Sequence, residues 1–311
     1  MNPVAAPNRF FRTRLAPTPS GYLHLGNILS FVITVGLARQ SGARILLRID
    51  DLDRKRVRPQ YLQDIFDTLQ FLELPWDEGP RNVADFQAVW SQQHRMPLYR
   101  QVLNPLQTLP ELFACTCSRT DILKLGTDGI YPGTCRHKGL PLDTPGAAWR
   151  LRTPEAVSLQ VKMLQGSSSV TQLPAVIRDF VVRKKDGTPA YQLASVVDDE
   201  HFGVDLVVRG ADLWPSTQAQ LYLARLLDKK TFARTRFVHH ALVRDAGGEK
   251  LSKSAGASSV WHLRKEGKTH SEVYQLLAQW CGIATPVQDW QALFDALLAG
   301  QPQLLHGVSF P

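Results

Sequence analysis

The sequence predicts an α/β fold whose centre is a parallel sheet. A short strand is expected over Phe11–Leu15, followed by a glycine-containing loop and by an apolar helix that runs through 28–37 and ends near Ser41–Gly42. A second apolar strand, Ala43–Ile49, completes the unit. Because strand, loop, helix and strand in this order give parallel pairing, we expect the ligand at the carboxyl ends of the strands.

Composition and charge restrict the class of protein. The 311 residues, 44% of them hydrophobic, can bury the core of one large or two moderate domains. The formal net charge of +8 and the isoelectric point of about 9.4 favour a polyanionic partner. No apolar run approaches the roughly 20 residues that span a bilayer, and the N-terminal segment lacks the apolar centre of a secretory signal. Three of the four cysteines cluster, which fits a reducing cytoplasm better than a disulfide framework.

Beyond the second strand, helices and strands surround an irregular central region. That region, 114–152, is rich in cysteine, glycine, proline and threonine, and the α/β pattern returns over Ala190–Leu213. Strands are predicted over 157–164 and 179–187, as an antiparallel continuation of the insertion. Helical periodicity predicts the helices Tyr61–Leu74, His94–Leu109, Thr217–Leu227, Ser271–Ile283 and Trp290–Leu298.

Two loops carry residue types that suit a nucleotide. The segment APTPSGYLHLGN (16–27) surrounds His24 with prolines, small hydroxyl residues and glycines directly before a helix. Such a loop frees backbone N–H groups and directs the positive end of the helix at its ligand, which favours phosphate. The segment KLSKS (250–254) brings two lysines and two serines into a second loop. The alternative for His24 is a capping role, and the alternative for Lys250 is a solvated basic loop.

Three cysteines within 21 residues, Cys115, Cys117 and Cys135, indicate a metal site. Zinc takes four tetrahedral ligands and favours thiolates, so three cysteines in an insertion rich in glycine and proline predict zinc rather than free thiols. His137 is the chemically plain candidate for a fourth ligand.

Two other patterns resemble ligand sites but have simpler explanations. Cys281 lies in the apolar segment LLAQWCGI, which predicts core packing. The adjacent His239 and His240 are expected to point apart at the end of a strand or loop, because neighbouring side chains do not share a face there.

Five motifs, in order along the chain, resemble those of the glutamyl branch of the class I aminoacyl-tRNA synthetases. They are RLAPTPSGYLHLGN (14–27), RIDDLD (48–53), AYQLASVVDD (190–199), VVRGADLWPST (207–217) and KLSKS (250–254). Within this branch, RGADL followed by Ser216 and Thr217 is closer to a shortened family, the glutamyl-Q tRNA(Asp) synthetases. Since 57 residues, 255–311, follow KLSKS in the sequence, no anticodon-binding domain is expected.

This resemblance implies a ligase-type enzyme with the Rossmann-type catalytic domain of class I synthetases. Its expected substrates are L-glutamate, ATP with magnesium, and tRNA(Asp) bearing queuosine in the anticodon loop, to which glutamate is attached. One structural zinc ion, a monomeric state and a cytoplasmic location without membrane contact are also expected. The expected division is 1–110 and 190–256 for the two halves of the catalytic domain, 111–189 for the zinc-containing insertion and 257–311 for a short helical subdomain.

Two other functions remain open at this point. One is a truncated glutamyl-tRNA synthetase that charges the 3′ end of a tRNA, and the short C-terminal part and RGADL argue against it. The other is a non-catalytic paralogue that only binds tRNA, and the presence of His24 and Lys253 argues against it.

The resemblance also implies roles for individual residues. For catalysis it implies His24 and Lys253, which would donate to phosphate oxygens of ATP from opposite sides. For glutamate it implies Arg14, Leu15, Ala16, Pro17, Thr18, Asp50, Tyr191 and Arg209. For ATP it implies His24, Gly26, Asn27, Lys250, Ser252 and Lys253, and for zinc Cys115, Cys117, Tyr131 and Cys135.

Glutamate has two carboxylates and one ammonium, so its pocket needs cations at two ends and an anion between them. Arg14 and Arg209 both lie at the carboxyl ends of predicted strands. Arginine suits a carboxylate because its planar group binds both oxygens. The alternative for each arginine is a surface ion pair, and the sequence does not assign either one to a particular carboxylate.

Two positions depart from the family pattern. Asp50 stands where the family has Glu, and the expected contact with the substrate ammonium is therefore longer, passes through a water, or is taken over by Asp51. The alternative is that Asp50 caps a turn or pairs with Arg48 or Arg54. Asn27 stands where the HIGH-type motif ends in His, and it offers neutral donors without charge.

Overall fold

Helices and strands alternate over 12–71 and again over 181–240 in the computed structural model, which describes residues 9–125, 130–164, 167–242 and 259–300. The strands are β1 (Arg12–Leu15), β2 (Arg44–Leu47), β3 (Leu112–Cys115), β4 (Ala148–Leu151), β5 (Ser158–Met163), β6 (Ser168–Gln172), β7 (Val181–Arg183), β8 (Leu206–Gly210) and β9 (Arg236–His240). The α-helices are α1 (Leu25–Ser41), α2 (Pro59–Phe71), α3 (Val83–Asp85), α4 (Met96–Leu106), α5 (Arg119–Lys124), α6 (Tyr191–His201), α7 (Trp214–Leu226), α8 (Val260–Lys265), α9 (His270–Trp280) and α10 (Trp290–Gly300).

The predicted parallel unit is present. Strand β1 pairs in parallel with β2, and β8 pairs in parallel with β9. The two pairs meet side by side, because the backbone N–H of Asp205 donates to the carbonyl of Arg12 at 3.0 Å and Thr13 Oγ1 donates to the carbonyl of Leu206 at 2.9 Å. The carboxyl ends of β1, β2 and β8 therefore open on the same side, as the α/β prediction requires.

Helix α1 packs against these strands and is buried along most of its length. It begins at its N-cap His24 and ends at Gly42, whose φ of +74° a residue with a side chain rarely adopts. This end agrees with the predicted boundary. At Gly36 the helix meets α10 so closely that a Cβ atom would overlap the ring of Phe294.

The central region contains more regular structure than its composition suggests. Strands β3, β4 and β7 form a three-stranded antiparallel sheet that carries the cysteine cluster at one end. Strands β5 and β6 pair with each other in antiparallel fashion, as predicted, but β5 also pairs in parallel with β9. The β5–β6 hairpin thus extends the sheet of the catalytic half, although the sequence had assigned it to the insertion. The domain limits themselves stay a prediction.

The remaining predicted helices are present with small shifts in their ends. Helix α2 ends at Phe71 because Glu73 has a φ of +52°, outside the helical region. Helix α4 begins at Met96, after a single 3₁₀ turn over Gln92–Arg95. Helices α8, α9 and α10 form the predicted helical C-terminal part. Within the described ranges, no helix is both long and apolar enough to cross a membrane.

Candidate active site

A cavity of about 560 Å³ opens at the carboxyl ends of β1, β2 and β8, against the N-terminus of α1. Most of the described residues that the sequence assigns to glutamate and ATP line it together. They are Arg14, Ala16, Pro17, Thr18, His24, Gly26, Asn27, Asp50, Tyr191 and Arg209. The fold thus brings residues from four separate motifs to one place, and their individual roles stay predictions.

Arg209 is a buried guanidinium without an acidic partner. It is 5% exposed, and its two Nη atoms donate to Gln220 Oε1 at 3.0 Å and to Thr217 Oγ1 at 2.5 Å, both neutral acceptors. Among the residues that the structure describes, no carboxylate forms a salt bridge with it. Burial lowers its pKa to about 10, and the nearby charge of Arg14 acts in the same direction. At neutral pH the group is still charged, so the cavity contains a cation that has no salt-bridge partner among the described residues.

Arg14 lies close to Arg209 but has an acidic partner. Its Nε is 3.4 Å from Asp199 Oδ1, and its Nη1 donates to the carbonyl of Val208 at 3.3 Å. The side chain of Arg14 is 7% exposed. These two contacts hold the guanidinium in place, and Arg14 lines the cavity.

Asp50 is held by Arg48 through two hydrogen bonds. Arg48 Nε donates to Oδ1 at 2.8 Å and Arg48 Nη2 donates to Oδ2 at 3.2 Å. The Asp50 side chain is still 16% exposed and lines the cavity. Burial raises the pKa of Asp50, and the positive charge of Arg48 opposes this effect. Of the alternatives that the sequence left open for Asp50, the ion pair with Arg48 is the one observed, and it leaves the carboxylate at the cavity.

Asp51 is not placed to take over the contact with a substrate ammonium. Its carboxylate accepts hydrogen bonds from Ser91 Oγ at 2.6 Å and from the backbone N–H of Gln92 at 2.8 Å, and it pairs with Arg54. The side chain is fully buried away from the cavity. Its role is to anchor the 3₁₀ turn before α4.

His24 caps helix α1, as its alternative reading supposed. Its Nδ1 accepts a hydrogen bond from the backbone N–H of Gly26 at 3.1 Å, and Asn27 Oδ1 accepts one from the backbone N–H of His24 at 3.1 Å. Because Nδ1 accepts, the neutral ring carries its proton on Nε2, which is then a donor. Capping and donation to a phosphate thus use different nitrogens of the same ring, and the two roles are compatible.

Cys115, Cys117 and Cys135 form the cluster that the sequence predicted. Their sulfur atoms all lie within 4.8 Å of one another, and the Sγ atoms of Cys117 and Cys135 are 3.6 Å apart. Tyr131 Oη lies 3.5 Å from Cys115 Sγ, whereas His137 is not part of the group. Four ligands at tetrahedral zinc, with Zn–S of about 2.3 Å, have sulfur atoms about 3.8 Å apart. Three thiols and a phenol in this arrangement therefore fit zinc.

The environment of the cluster also affects its thiols. Burial alone would raise the pKa of Cys135, but hydrogen bonds from the backbone of Thr116 and from the neighbouring cysteines lower it to about 7. Burial and the hydrogen bond with Cys135 raise the pKa of Cys117 to about 11. A thiolate at Cys135 is thus stabilised at neutral pH, which suits a metal ligand.

His239 and His240 point to opposite sides of β9, as predicted. His239 Nε2 is 2.7 Å from Thr217 Oγ1 on α7, and His240 Nε2 is 2.6 Å from Ser30 Oγ on α1. Both rings are buried, and burial lowers the pKa of each. They do not form a ligand pair.

Comparison with known proteins places this geometry in a family. The family model for the catalytic domain of class I tRNA synthetases (E and Q) matches residues 11–125 and 146–285. A protein of Deinococcus radiodurans named glutamyl-Q tRNA(Asp) synthetase is 36% identical over 301 residues, which cover 94% of each chain. A protein of the same name from Pseudomonas aeruginosa is 41% identical over 241 residues, which cover 78% of this chain and 76% of the relative.

This chain belongs to the glutamyl-Q tRNA(Asp) synthetase family. It is an enzyme of the aminoacyl-tRNA synthetase-like ligases, as the five motifs predicted. The crystal structure of a glutamate-tRNA synthetase from Elizabethkingia anophelis superposes with a TM-score of 0.71 at 20% identity, over 92% of this chain and 65% of that chain. This chain therefore spans less than two thirds of the length of that structure, and the likeness confirms the class I fold.

Some of the predicted site residues have no place in the cavity or in the structure. Lys250, Ser252 and Lys253 lie outside the described residues, so their roles in binding ATP and in catalysis stay predictions. Leu15 has a fully buried side chain in the core and is not among the residues that line the cavity. Its carbonyl accepts a hydrogen bond from the backbone N–H of Arg48 at 2.8 Å, which continues the pairing of β1 and β2.

Besides lining residues such as Asp212, sequence reasoning missed two residues that support the predicted site, Arg48 and Asp199. Arg48 was considered only as an alternative partner of Asp50, and Asp199 was not considered at all. In the structure Arg48 Nη1 donates to Asp199 Oδ1 at 2.5 Å, so a single chain of ion pairs joins Asp50, Arg48, Asp199 and Arg14. The only sequence signal was that both residues belong to family motifs, RIDDLD and AYQLASVVDD.

Proposed function

We propose that this enzyme activates L-glutamate with ATP and transfers the glutamyl group to queuosine in the anticodon loop of tRNA(Asp). The proposal rests on the finding that the chain is a glutamyl-tRNA synthetase-like enzyme, and on the names of its relatives. Arg209 carries the argument for an acidic substrate, because it is buried, positively charged and without a carboxylate partner among the described residues. A substrate carboxylate would supply that partner and offset the cost of burying the cation.

The arginines at the cavity support a substrate with two carboxylates. Arg14, Arg48 and Arg209 all line it, together with the carboxylates of Asp50 and Asp212. Arg48 is already paired with Asp50, whereas Arg209 has only the neutral acceptors described above. Arg14 and Arg209 are therefore the groups that would bind the two carboxylates of glutamate. Asp50 is the group that would bind the ammonium.

The helix end at His24 is the proposed site of the ATP phosphates. Adenylate formation is an in-line attack of the substrate carboxylate on the α-phosphorus, with pyrophosphate as the leaving group. The protein has to position two anions and to stabilise the charge that develops on phosphate oxygens. His24 Nε2 is the proposed donor at this place, beside the positive end of α1, and Lys253 is the proposed donor from the opposite side.

We further propose that Cys115, Cys117, Cys135 and Tyr131 hold one zinc ion with a structural role. When bound, zinc would cross-link the end of β3 to the turn that contains Cys135. The cluster is not among the residues that line the cavity, so zinc has no proposed part in the chemistry.

The deciding experiment measures where the glutamyl group is attached. Purified enzyme is incubated with ATP, radiolabelled L-glutamate and tRNA(Asp) with or without queuosine, and the label is mapped by ribonuclease digestion. We expect label only in the queuosine-containing RNA, within the anticodon-loop fragment. Label at the 3′ end would instead support a truncated glutamyl-tRNA synthetase, and tRNA binding without any incorporation would support the non-catalytic alternative.

A further inference from the structure

The four-residue chain Asp50, Arg48, Asp199 and Arg14, which we name the ion-pair chain, crosses from β2 to α6 and on to β1. Asp199 accepts from Arg48 and faces Arg14 with the same oxygen, Oδ1. Asp199 and Arg48 are each 3% exposed, whereas Asp50 at one end is 16% exposed. Asp50, Arg48 and Arg14 line the cavity, and Asp199 does not.

We propose that Arg48 and Asp199 are positioning residues that hold the ammonium-binding and carboxylate-binding groups of the site as one unit. This inference rests on the proposed function, since it takes glutamate as the ligand. Arg48 fixes the plane of the Asp50 carboxylate with two parallel N–H groups. Asp199 fixes the distance between Arg48 and Arg14. Neither residue needs to contact the reacting atoms.

The shorter side chain of Asp50 makes this role specific to the present chain. The Glu of the family pattern would reach one methylene further into the cavity. The affinity for a ligand bound between Asp50 and the arginines therefore depends on how far from β2 the Asp50 carboxylate is held. A bidentate hold from Arg48 leaves that carboxylate no freedom to rotate. The geometry thus ties the affinity for an ammonium group to Arg48, and the affinity for a carboxylate bound at Arg14 to Asp199.

A neighbouring pair provides a matched control within the same protein. Arg95 donates to Asp198 with Nε–Oδ1 of 2.8 Å and Nη2–Oδ2 of 3.2 Å, the same two distances as in the Arg48–Asp50 pair. This second pair is equally bidentate and buried, and neither of its residues lines the cavity. Replacement of Arg95 by lysine therefore makes the same chemical change at a place where it has only a structural effect.

The test compares two ligands, L-glutamate and glutarate, which has the two carboxylates but no ammonium. Their dissociation constants are measured by isothermal titration calorimetry, glutarate also by competition. The ratio of the two constants measures the ammonium contact alone. We expect Arg48→Lys to reduce the preference for glutamate by about tenfold or more, in line with the loss of a charged hydrogen bond, with little change for glutarate. We expect Arg95→Lys to leave the ratio unchanged.

Asp199→Asn gives a second, independent outcome. Because Asp199 also holds Arg14, we expect this variant to weaken glutamate and glutarate alike by about tenfold, whereas Asp198→Asn weakens neither in folded protein. The inference is overturned if Arg48→Lys keeps the wild-type ratio of the glutarate and glutamate dissociation constants. It is also overturned if Arg95→Lys lowers that ratio as much as Arg48→Lys does. If Arg48→Lys does not fold, the Asp199→Asn measurement decides alone, and unchanged affinities overturn it. A wild-type protein that binds neither ligand overturns the proposed function and this inference with it.

Discussion

His239 and Thr217 meet beside the guanidinium of Arg209. His239 Nε2 lies 2.7 Å from Thr217 Oγ1, and the same hydroxyl oxygen accepts a hydrogen bond from Arg209 Nη2. Burial, together with the smaller effect of the Arg209 charge, lowers the pKa of His239 to about 2. A neutral imidazole is therefore built into the support of a buried arginine that has no salt-bridge partner among the described residues.

This arrangement predicts a loss of stability in mild acid. In the unfolded chain a histidine has a pKa of about 6.5, so below that pH the unfolded state binds a proton that the folded state excludes. The stabilising effect is complete above pH 6.5 and decreases as the pH falls towards 2. Between pH 7 and 5 we expect His239 to reduce the free energy of unfolding by about 2 kcal/mol, measured by urea denaturation. The buried His240, whose pKa burial also lowers, acts in the same direction.

His239→Gln should remove its share of this pH dependence, since glutamine does not titrate. His94→Gln, at an exposed histidine, is the control and should keep the full dependence. An unfolding free energy of the wild type that stays constant from pH 7 to 5 would contradict the prediction.

Arg209→Lys should weaken the use of glutamate. Lysine keeps the charge but cannot hold Gln220, Thr217 and a substrate carboxylate at once. We expect kcat/KM for glutamate in ATP–pyrophosphate exchange to fall roughly 10- to 150-fold, equivalent to about 1.5–3 kcal/mol. Arg234→Lys, on an exposed residue outside the cavity, should leave the rate unchanged, and equal rates for both variants would remove Arg209 from the site.

Substitutions at Asp50 test the proposed contact between its carboxylate and the ammonium group of glutamate. Asp50→Glu restores the family residue and should lower the KM for glutamate or leave it unchanged. Asp50→Asn keeps the shape but loses the negative charge, so kcat/KM should fall about 10- to 150-fold while ATP binding hardly changes. Should Asp50 serve only as the partner of Arg48, both variants would melt at lower temperature with unaltered kinetics.

Lys253→Ala should abolish most of the exchange activity. Loss of one donor to a transition-state oxyanion costs about 2.7–4 kcal/mol, so we expect a fall of at least about 10²-fold in kcat. Lys230→Ala, at an exposed lysine outside the cavity, is the matched control. Wild-type exchange by Lys253→Ala would show that the KLSKS motif does not act on ATP here.

Zinc should be present at about one ion per chain and should stabilise the fold. Metal analysis of protein purified without chelators measures the content, and thermal denaturation with and without a chelator measures the stabilisation. Cys117→Ser should lose the metal and lower the melting temperature, whereas Cys281→Ser should retain it, because Cys281 lies outside the cluster. If the wild-type protein contained no zinc, the proposal that the cysteine cluster binds zinc would be wrong.

Local patterns were enough to predict much of this structure. The boundaries of α1, the parallel pairing of β1 with β2 and the cysteine cluster all depend on residues near one another in sequence, and all were predicted. The pairing of β5 with β9 and the contact of Arg48 with Asp199 join residues far apart in sequence. Such contacts appear only when the sheet closes, and neither periodicity nor motif spacing carries information about which oxygen a buried guanidinium will reach.

The close approach of α1 and α10 at Gly36 restricts which substitutions this protein can accept during evolution. The N-cap of helix α1 is His24, so the position of the helix matters to the proposed chemistry. The place where α1 has no room for a larger side chain lies about three turns away, at Gly36 against Phe294. Any side chain at position 36 requires a smaller residue at 294. These two positions should therefore vary together among descendants of this protein, although neither residue lies near the substrate.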